Sequence, residues 1–300
     1  MQAQLIETID VGNTLGEGVL FRESDSTVWW TDIQSSKLYC LAWPSLVLNS
    51  YPTPERVCAF AFVEGADDKL LVAFETGFAY FLPSSEQVIW IAKTYEQGCG
   101  VRMNDGRTDP NGNFWVGSMV ERPLESGEAP SGQLYRLIGK DKTIVGRSGI
   151  HISNGLCWSA DGKYVYFADS PTGVVQRASY DLNSCQIGVF EDVYKFDGVN
   201  PDGAITDRAG NYLSALWNGS CVAVISEQGK RVFDIELPTP QITCLALGGP
   251  KLNLLFVTSA SDGLPQDDNG ASLDKQAGNL FILETDFDGC PSVPAKLNLA

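Results

Sequence analysis

Short stretches in which apolar and polar residues alternate recur along the whole chain, each entered through a tight polar turn. In the clearest copy, Asp109-Pro110-Asn111-Gly112-Asn113 opens onto Phe114-Trp115-Val116-Gly117 and is followed by Gly132-Gln133-Leu134-Tyr135-Arg136-Leu137. Ser159-Ala160-Asp161-Gly162-Lys163 leads in the same way to Tyr164-Val165-Tyr166-Phe167 and then to Gly173-Val174-Val175. A third copy runs from Asp207-Arg208-Ala209-Gly210-Asn211 through Tyr212-Leu213-Ser214 to Cys221-Val222-Ala223-Val224. Weaker copies start at Ser24, Ala66 and Lys251, ahead of Val28-Trp29-Trp30, Leu70-Leu71 and Leu254-Leu255-Phe256. Period-two alternation of β-branched and aromatic residues predicts strands. No stretch sustains the stripe of an amphipathic helix.

The starts lie roughly 40 to 50 residues apart, the length of one four-stranded propeller blade. Six copies fill the 300 residues. The pattern therefore predicts an all-β, six-bladed β-propeller, with residues 1–300 forming a single domain. Leu5-Ile6-Glu7-Thr8-Ile9 and the end Lys296-Leu297-Asn298-Leu299 are candidates for closing the ring. Two β-sandwiches, the alternative arrangement, leave the sixfold repeat unexplained.

In a propeller the segment before each turn is the innermost strand, beside the central channel. Aligned on the turns, the residue seven positions earlier is Glu17, Asn104, Asn154 and Asp202 in four copies, with apolar choices near Cys58 and Cys244 in the other two. Gly18, Gly155 and Gly203 follow three of these, suiting close backbone approach or positive φ. Any one Asn-Gly or Asp-Gly pair reads as an ordinary surface turn; four polar residues in one register of otherwise apolar segments read as a converging ring. Buried carboxylates must be paired, hydrogen-bonded or metal-bound. With no Lys or His in the ring, a hard divalent cation is the expected partner of this oxygen set.

Composition narrows the chemistry. A net charge of −16 disfavours nucleic acid and anionic membranes as partners. No apolar run approaches the ~20 residues of a membrane span, and the first residues lack a signal-peptide pattern, so a cytoplasmic protein is expected. The eight Cys are scattered without a Cys-x-x-Cys and read as reduced, mostly buried thiols. The single histidine, His151, would have to serve any triad or His-rich zinc site alone, and a satisfied or exposed position beside a strand suits it better. No nucleotide-binding glycine motif is present.

The ordered set Leu15-Gly16-Glu17-Gly18, Arg102-Met103-Asn104-Asp105-Gly106, Gly117-Ser118-Met119-Val120-Glu121, Ile152-Ser153-Asn154-Gly155 and Pro201-Asp202-Gly203, with Leu247-Gly248-Gly249-Pro250 and Val257-Thr258-Ser259-Ala260 later, resembles the senescence-marker-protein/gluconolactonase family, which includes regucalcin and bacterial sugar lactonases. The resemblance covers nearly the whole chain. It implies a six-bladed propeller with one divalent metal in the central channel. Glu17, Asn154 and Asp202 become the metal ligands and Asp202 also the general base. Arg102 and Asn104 are assigned to the substrate, and Glu121 to the pocket rim. A surface strand arginine and a solvated loop carboxylate are the plainer alternatives for Arg102 and Glu121.

Two departures stand out. Val19, then Leu20-Phe21, replace a proline and a frequent tryptophan, which bears on strand packing. The stretch from Arg122 to Pro130 falls where the family has a variable loop near the pocket, so substrate identity stays open.

The implied activity is opening of aldonolactones, such as glucono-, xylono- or arabinonolactone, to sugar acids. A divalent ion can polarise the carbonyl and activate water, with Asp202 taking a proton; Ca²⁺, Mg²⁺, Mn²⁺, Zn²⁺ and Fe²⁺ all remain open as cofactor. The expected partner is a small sugar lactone, with the oligomeric state undetermined. A non-catalytic calcium-binding regulator of the regucalcin type is the main alternative, and a propeller scaffold for protein partners another. Glu17 and Asp202 count against a scaffold, whose channel would be lined by small or apolar residues.

Overall fold

The computed structural model describes residues 1–129, 131–138, 141–268 and 270–296, with the backbone alone for residues 141–146. Its strands form six antiparallel sheets that follow one another in chain order, a six-bladed β-propeller. The inner strands are Gly16–Arg22, Val57–Val63, Val101–Thr108, Ser153–Trp158, Asn200–Thr206 and Ile242–Gly248, and they define blades one to six. Each is the segment placed innermost by the repeat alignment. The outermost strand of blade six is the N-terminal Ala3–Ile9, paired with Leu280–Thr285. The predicted Leu5–Ile9 closure is therefore present: the N-terminal strand completes the blade whose other three strands come from the far end of the chain, which closes the ring.

Sheets packed on both faces need apolar residues on both faces. Each junction between neighbouring blades has its own apolar cluster. Leu20, Trp29 and Phe60 meet between blades one and two. Trp115, Trp158 and Tyr180 meet between blades three and four, their rings packed edge to face. The polar turns reinforce these junctions. Asp109, fully buried, accepts from the backbone N–H groups of Asn111 and Asn113, from the Trp115 indole at 2.8 Å and from the Tyr180 hydroxyl of the next blade at 2.5 Å.

Every inner strand carries one extra residue relative to its neighbour. The register slips between Glu17 and Leu20, Val57 and Ala59, Met103 and Gly106, Asn154 and Cys157, Pro201 and Ala204, and Ile242 and Cys244. A bulge of this kind bends its strand and re-aims side chains. Gly18 and Gly155 take up the bulge at φ 61° and 65°. Gly203 answers to close packing instead: a Cβ there would lie 2.9 Å from the Cys244 Cα.

At the end of the channel away from the ring residues, the segment following blade six crosses the mouth. Ala295 N–H donates to Phe62 O at 2.7 Å, Lys296 N–H to Gly112 O at 2.9 Å, and Arg208 Nε to Gly289 O at 3.1 Å. The C-terminal closing candidate thus enters the described structure only through Lys296, and Leu297, Asn298 and Leu299 lie outside the described residues. Among the described residues no helix is long and apolar enough to cross a membrane.

Candidate functional site

The bulges bring Glu17, Asn104, Asn154 and Asp202 to one mouth of the channel, where they line a cavity of about 430 Å³ together with Arg102 and Glu121. All six residues singled out from the sequence therefore share one cavity. Asp202, Asn154 and Asn104 are buried, and Arg102 is only 3% exposed. Glu121 stands just beyond the second strand of blade three, partly exposed. Of the loop that follows it, no residue from Arg122 to Ala129 lines the cavity. Arg122 instead turns back to donate to Glu128 Oε2 at 2.9 Å. Pro130 lies outside the described residues.

Hydrogen bonds orient the ring. Asn154 Nδ2 donates to Ser170 Oγ at 2.8 Å, and Ser170 donates onward to Pro201 O at 2.7 Å. With its NH₂ held outward, Asn154 turns its carbonyl oxygen toward the channel. Asn104 Nδ2 donates to Ser153 O at 2.8 Å and, less closely, to Asn154 Oδ1 at 3.3 Å. Its own oxygen accepts from Arg102 NH1 at 2.7 Å. Asn104 is thus largely engaged by the protein, a splint between Arg102 and Asn154. Arg102 Nε donates to Glu121 at 2.8 Å, while its NH1 also reaches Met103 O.

Carboxylates crowd the floor. Burial drives the Asp202 carboxyl well above its ordinary value, and the charges of Glu17 and Asp105 add to this. Burial likewise pushes Glu17 up to about 8, with Asp105 adding and the Gly18 N–H and Arg102 opposing. Asp105, the ring neighbour of Asn104, is also raised by burial; Arg107 and the Leu156 N–H work against the shift. Two like charges side by side in a buried place resist joint ionisation. The Asp202 Oδ1 atom is fully buried and has no hydrogen-bond partner among the described residues.

Glu17, Asn154 and Asp202 together offer two carboxylates and an amide oxygen, a hard-oxygen set that a divalent cation would neutralise. Among the described residues no three His, Cys, Asp or Glu side chains gather as a metal cluster, so any cation here would rest on a mixed amide and carboxylate set with positions left over for other oxygens.

A second tier surrounds Arg102 and Glu121. Arg56, just ahead of blade two's inner strand, donates to both Glu121 oxygens at 2.8 and 2.9 Å and through Nε to Glu75 at 2.8 Å. Gln97 completes the Glu75 contacts at 3.0 Å. Burial alone would raise the Glu121 carboxyl; the Arg56 hydrogen bonds and the Arg102 charge outweigh it and hold the group below the usual range.

Several residues that the fold brings here are not among those singled out from the sequence. Asp105 carried a signal, since it stands where three other blades have glycine. Arg56, Ser170, Trp217 and Asp262 carried none: Trp217 ends the second strand of blade five, Ser170 opens a short 3-10 turn, and Arg56 and Asp262 lie in connecting segments, all outside the repeat register. His151 lies outside the cavity, its Nδ1 3.1 Å from Asp169 Oδ2. All eight cysteines are free thiols, five of them buried.

Fold and site together define a class of protein: six-bladed propellers with an acid and amide ring in one channel mouth. Residues 15–261 match the family described as SMP-30/Gluconolactonase/LRE-like region, and the chain belongs to that family. It is 31% identical over 286 residues to regucalcin of Gallus gallus, covering 93% of this chain and 94% of that protein. It is 32% identical over 284 residues to L-arabinolactonase of Azospirillum brasilense, covering 93% and 91%. The crystal structure of a calcium-binding protein, regucalcin, from Agrobacterium tumefaciens superposes with a TM-score of 0.88 at 27% identity, covering 98% of each chain.

Proposed function

We propose that this chain hydrolyses a sugar lactone in the cavity above the ring, with one divalent cation held by Glu17, Asn154 and Asp202. The observation that carries the reading is the Asp202 Oδ1 atom, buried without a hydrogen-bond partner among the described residues, beside the half-buried Glu17 carboxylate. The relative named L-arabinolactonase supports the reaction class. When bound, the cation would supply positive charge to polarise a carbonyl and favour ionisation of water.

The residues then divide the work. Asp202 accepts the proton of the attacking water. Water adds to the lactone carbonyl, the bond between the acyl carbon and the ring oxygen breaks, and that oxygen leaves with a proton as the sugar acid forms. Arg102 presents planar donors to the lactone oxygens, its plane fixed by Asn104 and Glu121. The same two residues complete the polar wall facing the sugar hydroxyls, and Trp217 with Met119 forms an apolar part of the cavity.

The likeness to a structure described as calcium-binding favours one second reading, a protein that binds calcium at the same ring without turnover. A pH-indicator assay across several aldonolactones, with and without chelator, separates the two. Chelator-sensitive acid release from at least one lactone is expected. Calcium binding with no hydrolysis of any of them would establish the regulator reading instead.

A further inference from the structure

The channel has a second end. Below the ring, the far ends of the inner strands and the crossing segment from Cys290 to Val293 enclose a separate cavity of about 170 Å³. Its composition is unusual for this molecule. In a chain of net charge −16, not one lining residue is acidic, and the single charged one is Arg107. The rest of the wall is mostly apolar, with Leu20, Phe60, Phe62, Ile205 and Leu247 contributed by four different blades.

Two N–H groups of the lining residues lack acceptors. Arg107 Nε is fully buried with no hydrogen-bond partner among the described residues, and so is the indole Nε1 of Trp158, which sits on the next blade's inner strand. Trp158 as a whole is buried, 8% exposed. Arg107 acts on Asp105 through space, but no carboxylate forms a salt bridge with it among the described residues. Buried donors in native proteins are almost always satisfied. A guanidinium lining a pocket that has no acidic residue in its wall is a strong donor set for an anion.

We propose that this far cavity is a binding site for a small carboxylate with a short apolar tail. The carboxylate oxygens accept from the terminal nitrogens of Arg107, and the tail lies against the apolar wall. Concave, mainly apolar pockets with a few placed polar groups are the common form of small-molecule sites. The site is separate from the lactone cavity, and its existence does not depend on the lactonase reading.

Calorimetric titration of the full chain with butyrate tests this, alongside acetate, chloride and butyramide. Butyrate is expected to bind saturably, acetate more weakly, and butyramide not at all. Arg107→Gln should weaken butyrate binding by about tenfold or more, as loss of a charged hydrogen-bonding partner does. Asp202→Asn, in the other cavity, should leave it unchanged. Should Arg107→Gln fail to fold by circular dichroism, Arg107→Lys replaces it, with reduced affinity expected because the planar fork is lost. Absence of saturable butyrate binding, equal affinity for chloride, or undiminished affinity in the arginine variant used would overturn the proposal.

Discussion

In the proposed lactonase, Asp202 meets two demands at once, as cation ligand and as proton acceptor. Asp202→Asn keeps the shape and an oxygen ligand while removing the basic carboxylate. A kcat loss of roughly a hundredfold or more is expected, the usual range for general-base catalysis, together with weaker cation binding by calorimetry. Near-wild-type kcat with the cation bound would move the base role to another group. Residues of this kind were legible in the sequence because the repeat gave them a common register: Glu17, Asn104, Asn154 and Asp202 could be aligned without any knowledge of pairing. Asp105 follows one of them where three other blades have glycine, and that difference marks it in the sequence. The desolvation that raises its carboxyl arises only when the blades converge.

Among the elements, the bulged inner strand is the unit that builds the site. Alternation and turn chemistry announced the strands, but the extra residue in each could not be read from one strand, since a bulge is defined by its partner. The same limit hid Arg56. It precedes blade two's inner strand and clamps Glu121 of blade three, a contact between residues 65 positions apart in the chain. In the proposed lactonase, Arg56 is a positioning residue that holds Glu121 and, through it, Arg102. Arg56→Met should raise KM several-fold with a smaller change in kcat, as expected when an interaction common to ground and transition states is lost. Arg56→Lys should recover part of the loss, because it restores charge without the bidentate fork. Unaltered KM in Arg56→Met protein that melts like the parent would remove Arg56 from the substrate wall.

The propeller as a whole holds three raised carboxyls, Glu17, Asp105 and Asp202, around one axis. For each, the folded-state pKa lies above the unfolded one. Such groups favour the fold most where they are protonated, below the ordinary carboxylate range near 4, and that contribution is lost as pH rises. For Glu17 the window extends up to about 8. The melting temperature of cation-free protein should therefore fall between pH 5 and pH 8. A divalent cation, which requires the ionised form, should restore it more at pH 8 than at pH 5. In Asp202→Asn the fall should be shallower. A melting temperature that rises across this range in cation-free protein would contradict the buried, unneutralised floor. The sixfold architecture and its N-terminal closure were legible because spacing alone carries them; the segment crossing the far mouth was not, since Cys290 to Val293 lie outside any repeat.

If the acid and amide ring holds a divalent cation on which lactone opening depends, the hydrolysis rate must follow the cation. Protein stripped of metal and titrated back with a divalent ion gives that rate. Activity should be lost on stripping and return in proportion to added ion, levelling off at about one equivalent per chain, as expected for a single site of this oxygen chemistry. Full activity in the stripped protein, unaffected by added ion, would refute the cation's role in the reaction.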